Sequence, residues 1–496
     1  LNTKLNGILY AQGFSNQKNG ERLYIKLADA IAQSLVEKKL GKGNKMPPTR
    51  LLALDLGVSR STVIKAYELL AIKLYIYSIQ GSGYYVNDIR GKVVNNQLEN
   101  DNQPQLNTPV SRRARNFSSK VNLINRSIRE TIAFRPGLPP LDIFPVRQWQ
   151  NLTNNYWRKV TVSDMSYLSP SGLDSLRRSI ADYVHMYRNI RCSPDQIVVV
   201  TGSLHSLSLV GDLIIDENDQ VVFENPSYPN AIAIFKSLGA KILTTSIDEE
   251  GMNIAKIKKK KSLNPKLIYT TPSNQYPTGV QMSQARRIQL LEWAHRYNSL
   301  IIEDDYDHEF SNWSDPIPSI FSLDNHQRVI YHGTFNKLLH PSIRLGYIIL
   351  PKYLVKDMTS LVEQSFRFVA PETQKVMSDF IEKDYLSKHI RNVVQVSKER
   401  RRIFIDCFQK HCTKHMNLNK TNNGLHLVAH MEDTIDDIAL SKHLQSNGII
   451  AFPYSKYFLK KPKKKGLVMG FSSVRAALIK SYLKKMATLV NSYLDS

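Results

Sequence analysis

The chain has 496 residues, 42% of them hydrophobic, which is enough for two or more buried cores. Lys and Arg number 67 against 43 Asp and Glu, a formal net charge of +24 that suits a polyanionic partner without establishing one. Three cysteines (Cys192, Cys407, Cys412), with no C-x-x-C spacing, exclude a disulfide framework and give no metal-ligand pattern, as expected in a reducing cytoplasm.

Residues 1–20 mix Lys, Asn, Gln and Gly with short apolar pairs and read as an amino-terminal extension. They lack the continuous apolar stretch of a signal peptide, and no later run is long enough to span a bilayer. A first folded module is expected over residues 21–87. Leu23, Leu27, Ala28 and Ile31 form a helical stripe. Thr49 is placed to cap a short helix through Leu56, which Gly57 ends in a left-handed conformation. Ser59 caps the next helix, which buries Val63, Ala66, Tyr67 and Leu70. The exposed start of that helix carries Arg60, Ser61, Thr62 and Lys65, short donors and cations suited to bases and phosphates. Two β-rich runs around Gly81, Ser82 and Gly83 then predict a hairpin.

The order helix, helix-turn-helix, hairpin wing resembles the GntR-type winged helix, carried by P-x-x-R-x-L-A, L-G-V-S-R-x-T-V and G-S-G-x-x-V. The resemblance implies double-stranded DNA contact from Thr49 and Arg50, from Arg60, Ser61, Thr62 and Lys65, and from the wing at Gly81, Ser82 and Gly83.

Residues 88–121 are rich in Asn and Gln and then basic at Arg112, Arg113 and Arg115. Such a segment buries too little apolar area to offset its ordering entropy and is expected to be a flexible linker. Its arginines are suited to non-specific phosphate contacts. The lysine runs at 258–261 and 463–465 read as solvated loops.

A large domain is expected over residues 122–496. Short apolar runs at 197–200, 220–223, 267–269, 300–302 and 329–331 alternate with helical stripes such as 285–295. That alternation predicts an α/β fold around a mainly parallel sheet, with its chemistry at the carboxyl ends of the strands. Thr201-Gly202-Ser203 follows one strand and opens a helix, where backbone N–H groups receive a phosphate. Glu303-Asp304-Asp305-Tyr306 follows another. Near Lys337 the chain reads Gly333-Thr334-Phe335-Asn336-Lys337, then His340-Pro341-Ser342-Ile343-Arg344-Leu345-Gly346-Tyr347. A lysine amine on a defined loop suits covalent capture of an aldehyde, while Thr334, Asn336 and the Arg344 fork suit a phosphate.

These segments resemble the G-T-x-S-K-x-x-x-P-x-x-R-x-G-Y signature and flanking motifs of the MocR/GabR regulators. That family joins a GntR head to a fold type I aminotransferase-like domain holding pyridoxal 5′-phosphate (PLP). F-x-P-G-x-P at 134–139, E-x-P-x-Y-P at 224–229 and Y-P-T-G at 276–279 carry the likeness further. The resemblance implies an internal aldimine on Lys337, Asp304 on the pyridine nitrogen and Tyr306 on the phenolic oxygen. It also implies Tyr228 stacked on the ring, a phosphate held by Ser203, Thr334, Asn336 and Arg344, and a cytoplasmic homodimer on two half-sites.

Four departures from the pattern matter. Leu204 and His205 replace a Gln pair, Asn274 stands where His is usual beside the cofactor's edge, and Asn336 replaces a serine. Val468 occupies the place of the arginine that grips a substrate carboxylate, and Arg475 lies on the following segment. These features favour a transcriptional regulator that senses PLP, with an amine or amino acid effector as the weaker candidate. The alternatives are an active aminotransferase with an accessory DNA-binding domain, a DNA binder on an unused scaffold, and a PLP carrier without specific DNA binding.

Overall fold

The structure is a computed structural model that describes residues 22–37, 41–88, 133–257, 263–311, 317–419, 424–460 and 464–495. It also describes Leu9, Phe14, Ser111, Arg113, Ala114, Thr421 and Pro462. The linker expected at 88–121 and the lysine run at 258–261 thus fall almost wholly outside the described residues. The chain divides into two compact units, Leu1–Thr108 and Pro109–Ser496.

The first unit is a winged helix. Helices Leu23–Val36, Thr49–Leu56 and Arg60–Ile72 precede an antiparallel hairpin of β1 (Ile76–Ile79) and β2 (Gly83–Val86). Val63, Ala66, Tyr67 and Leu70 are the buried face of the third helix. They pack with Leu27 and Ile31, with Leu52 and Leu56, and with Ile76 and Val86. The Tyr67 hydroxyl, sealed in this core, donates to the Pro47 carbonyl at 2.9 Å, so its burial leaves no unmet polar group. Leu9 and Phe14 are buried in the same core, which therefore takes side chains from before residue 21. Gly57 ends the second helix at φ +62°, and Ser59 accepts from the Thr62 N–H. Thr49 does not cap its helix. It is the first helical residue, and Pro48, with no side-chain acceptor, occupies the cap position.

The second unit is an α/β domain. Its main sheet contains β3 (Ile197–Val200), β4 (Gln220–Asn225), β5 (Lys241–Asp248), β6 (Gly251–Met252) and β7 (Pro265–Thr270). It is completed by β8 (Leu300–Asp304), β9 (Val329–Thr334) and β10 (Gly346–Ile349). Their order is β3-β10-β9-β8-β7-β4-β5-β6. The run from β5 through β4, β7 and β8 to β9 is parallel. Alternate side chains of a strand face opposite sides. Ile197 and Val199 join one hydrophobic cluster and Val198 and Val200 another, so helices cover both faces and the strands are apolar throughout. The sheet is not wholly parallel: β10 runs against both β3 and β9, and β6 folds back on β5.

The 27-residue helix Tyr385–His411 leads into a smaller antiparallel sheet ordered β11-β12-β14-β13. Its strands are β11 (Met416–Leu418), β12 (His426–Met431), β13 (Phe452–Pro453) and β14 (Lys465–Gly470). Phe404 and Phe408 of the long helix pack there against Leu427, Leu467 and Leu483. Lys465 is half-buried at the start of β14, 3.9 Å from Asp437, and not in a solvated loop. Among the described residues no helix is long and apolar enough to cross a membrane.

Candidate functional site

On the winged helix the candidate DNA-facing residues come from one short stretch. Arg50, Arg60, Ser61 and Lys65 are exposed, and Thr49 and Thr62 are half-buried. Ser59 organises the third helix's first turn: its Oγ lies 2.8 Å from both the Ser61 and the Thr62 hydroxyl, and it accepts from the Thr62 N–H at 3.1 Å. Lys65 Nζ stands 5.9 Å from the Tyr24 ring centroid. In the wing turn between Gly81 and Gly83, the Ser82 hydroxyl meets that of Tyr85 at 2.6 Å.

In the α/β domain a cavity of about 380 Å³ opens beside the carboxyl ends of the parallel strands, a size that suits a cofactor. Lys337 reaches it from the loop between β9 and β10. That loop is short and pinned, because Thr334 and Gly346 at its two ends are register partners across the strands. Lys337 Nζ donates to the Gly137 carbonyl at 2.7 Å. Gly137 has φ +71°, and a Cβ there would stand 2.7 Å from the same nitrogen, so the approach requires glycine.

Asp304, the last residue of β8, lines the cavity and is only 4% exposed. One oxygen accepts from the Tyr269 hydroxyl at 2.7 Å and the other lies 2.8 Å from His332 Nδ1. A carboxylate offers about four lone-pair positions, so it can still accept a donor from the cavity side. Tyr306 also lines the cavity, with its hydroxyl donating to the Asn274 carbonyl at 2.9 Å. Tyr228 is half-buried at the wall, accepts from Asn230 at 3.1 Å and meets Tyr276 edge-on.

Helix Ser203–Ile214 begins at the cavity, where Ser203 and Leu204 are wall residues. Its first N–H groups have no intrahelical acceptor and carry the positive end of the helix dipole. Gly202 precedes it at φ +107°, and a Cβ at this position would come within 3.0 Å of Asn336 Nδ2 and 3.8 Å of Arg344 Nη1. The helix start, Asn336 and Arg344 therefore surround one small space. Among the described residues, buried Asn336 Oδ1 has no hydrogen-bond partner. Thr334 lies at the start of the same loop. Its hydroxyl closes the loop, accepting from the Asn336 N–H at 3.2 Å and lying 3.4 Å from the Leu345 carbonyl. His205 clamps the strand-to-helix turn, its Nδ1 accepting from the Thr201 N–H at 3.1 Å. Burial, with the charge of Arg344 adding to it, lowers the pKa of His205.

The donor set fits a phosphorylated aldehyde of PLP's shape. One end offers a helix start, an amide and a guanidinium, the middle an amine, and the far side a carboxylate with a spare acceptor position.

Asp305, next in sequence to Asp304, belongs to a buried charged cluster. Arg188 Nε lies 2.7 Å from Asp305, and the Tyr331 hydroxyl donates to the same carboxylate at 2.7 Å. Burial opposes ionisation of Asp305, but the Arg188 guanidinium outweighs it and holds the carboxyl below its ordinary range. Glu224 accepts from Thr270, Thr271 and Gln275, which fixes the segment leading to Tyr276. Asn274 is not at the cavity's edge: it donates its amide to Asp307, at 2.8 Å to the carboxylate.

Tyr276, Phe452 and Arg135 are among the wall residues that had no role assigned from sequence. Tyr276 touches Tyr228, Tyr306 and Tyr457 edge-on, and its hydroxyl meets that of Tyr457 at 3.2 Å. Phe452 arrives from β13 with no motif around it. Arg135 sits at a variable place inside the F-x-P-G-x-P motif, where only its charge marked it out.

Comparison with known proteins gives two family matches. Residues 23–86 match the bacterial regulatory proteins of the gntR family, and residues 147–464 match aminotransferase class I and II. The probable rhizopine catabolism regulatory protein MocR of Rhizobium meliloti is 30% identical over 91% of this chain and 90% of its own. The pyridoxine biosynthesis transcriptional regulator PdxR of Corynebacterium glutamicum is 28% identical over 90% of this chain and 91% of its own. An archaeal alanine:glyoxylate aminotransferase structure superposes with a TM-score of 0.69 at 28% identity, covering 73% of this chain and 91% of that one.

Proposed function

The chain belongs to the MocR/GabR-type transcriptional regulators, a GntR winged helix fused to an aminotransferase-like PLP domain, and we propose that Lys337 is the residue through which it senses. In this reading Lys337 holds the cofactor aldehyde covalently, Asp304 accepts from the pyridine nitrogen and Tyr306 faces the phenolic oxygen. Tyr228 covers the ring. Ser203, Asn336 and Arg344 grip the phosphate, with Thr334 shaping the loop that carries them. Bound there, PLP supplies an aldehyde that condenses with amines and a ring that withdraws electrons.

The single observation that carries the reading is convergence. Ser203, Tyr228, Asp304, Tyr306 and Lys337 come from four separate segments and line one cavity. Occupancy of this site, by the cofactor alone or together with an amine or amino acid, would bias the arrangement of the DNA-binding heads in a homodimer. On the head, Arg60 and Lys65 meet phosphates while Ser61 and Thr62 offer hydroxyls to base edges. Thr49, Arg50 and the wing turn at Gly81, Ser82 and Gly83 add backbone contacts.

An aminotransferase that turns over steadily is the second reading, favoured by the likeness of the larger unit to aminotransferase structures. Val468 speaks against it, since it is fully buried among Val428, Tyr454 and Tyr457 where an amino-acid enzyme of this fold places its carboxylate fork. The decisive measurement is the visible absorption spectrum of protein loaded with PLP and desalted, beside Lys337→Ala treated identically. A retained band lost in the variant is expected. No band in the wild type overturns the lysine reading, and multiple turnovers with an amino donor and a keto acid would replace it by the enzyme.

A further inference from the structure

We infer that Asn274 is a positioning residue for the cofactor site: its side chain, bonded to Asp307, fixes the backbone carbonyl that holds the Tyr306 hydroxyl, and so aims Tyr306 at the ligand's phenolic oxygen. The inference rests on the reading that Tyr306 faces that oxygen, and it names what aims it there.

Tyr306 lines the cavity from the segment that follows β8, and the single proton of its hydroxyl goes to the Asn274 carbonyl at 2.9 Å. Asn274 stands on the segment that follows β7. The bond therefore joins two loops at the carboxyl ends of neighbouring parallel strands. The Asn274 side chain ties the same loops again. Its amide nitrogen donates to the Asp307 carboxylate at 2.8 Å and to the Asp307 carbonyl at 3.1 Å, so both amide protons serve one residue. Asn274 thus grips two consecutive residues, Tyr306 through its own carbonyl and Asp307 through its side chain.

This bracket is sealed from bulk water. Asn274 and Asp307 are each 1% exposed, and Gly424 packs over them: a Cβ there would stand 3.5 Å from Asp307 Oδ2 and 3.8 Å from the Asn274 side chain. Loss of the amide would leave the Asp307 carboxyl buried and unmet, and would release the carbonyl that Tyr306 depends on. The joining of the two loops has a separate support. Arg188 Nη2 donates to Ser273 Oγ at 3.1 Å, while its Nε lies 2.7 Å from Asp305. With the Asn274 amide removed, Arg188 still holds the loops together, and what changes is the aim of Tyr306. That separates a positioning residue from one that only stabilises the fold.

The test is calorimetric titration of the full-length protein with pyridoxine 5′-phosphate. This alcohol offers the phenolic oxygen, ring nitrogen and phosphate but no aldehyde, so its binding needs no bond to Lys337. Asn274→Leu, close in size but without donors, is expected to weaken binding about fivefold, the effect of one well-aimed hydrogen bond. Asn274→Asp combined with Asp307→Asn reverses donor and acceptor across the pair and should return the affinity to within about twofold of the wild type. Tyr306→Phe should lose as much as Asn274→Leu. In the Tyr306→Phe background, Asn274→Leu should cost less than about twofold more, because its route to the ligand is gone. An unchanged Kd for Asn274→Leu, a loss that persists in full in Tyr306→Phe, or a folded swap that does not restore binding overturns the inference. Should Asn274→Leu not fold, Asp307→Leu breaks the same contact from the other side and faces the same outcomes. Failure of the underlying reading looks different: Tyr306→Phe alone would then bind like the wild type, and the inference would fall with it.

Discussion

The two halves of this molecule build their candidate sites in opposite ways. On the winged helix every candidate contact lies between Thr49 and Gly83, on two helices and a turn whose core is largely local. In the aminotransferase-like half the cavity draws residues from segments as far apart as Gly137 and Lys337, which are 200 positions apart yet share a hydrogen bond. A side chain exposed on a local scaffold can be removed without disturbing its neighbours. A side chain in the assembled cavity shares its partners, so its removal should be felt both in binding and in folding.

The sharpest way to break that contrast is Asp304→Asn. The change removes a charge acceptor from the cavity and disturbs the hydrogen bonds of Tyr269 and His332. The Kd for PLP should rise by roughly 10- to 100-fold, with a lowered melting temperature as well. Fluorescence titration reads the first and thermal unfolding the second, and an unchanged Kd would refute the role of Asp304. Next in size is Gly202→Ala, which places a methyl group against Asn336 in a backbone conformation that disfavours it. PLP should weaken by about tenfold while pyridoxal, lacking the phosphate, stays unchanged. Equal losses for both ligands would mean that the helix start does not hold the phosphate.

On the head, Arg60→Ala should weaken binding to all DNA sequences and reduce the slope of log affinity against log salt by about one. The visible spectrum should not move. A spectral change would show that the two halves are less independent than their architecture suggests.

The smallest expected effect concerns His426, whose Nε2 lies 2.9 Å from the Pro277 carbonyl beneath Tyr276. Burial, with Lys337 contributing, lowers its pKa from 6.5 to about 4. The unfolded chain therefore binds a proton that the folded one refuses across this interval. Stability from this group is complete above about pH 6.5 and is lost as pH falls toward about 4. Differential scanning fluorimetry across that window should show a shift of a few degrees, reduced in His426→Gln.

How much of this was legible in the residues follows the same division. The third helix's buried face, the Gly57 end and the Ser59 cap were all readable, because each depends on neighbours within a few positions. Thr49 was misread because Pro48 takes the cap position one residue earlier. In the larger half the doubly buried strands announced themselves by unbroken apolar runs. The reversed direction of β10 did not, since Tyr347-Ile348-Ile349 reads the same whichever way the strand runs. Asn274 was placed at the cofactor's edge by its motif, but a carboxylate 33 residues later claims its amide. Arg135 escaped notice for a related reason: only the fold brings it to the cavity wall.

The pinned loop between β9 and β10 has an implication for how such a chain can change over time. Lys337 and Arg344 are carried on one stretch whose ends are tied together at Thr334 and Gly346, so its length is as much a part of the site as its side chains. Point substitutions there can be screened one at a time. Insertion or deletion of even a single residue between Lys337 and Arg344 would change their spacing and uncouple the amine from the guanidinium. That stretch should therefore be a coldspot for length variation and an unsuitable place for a tag or graft.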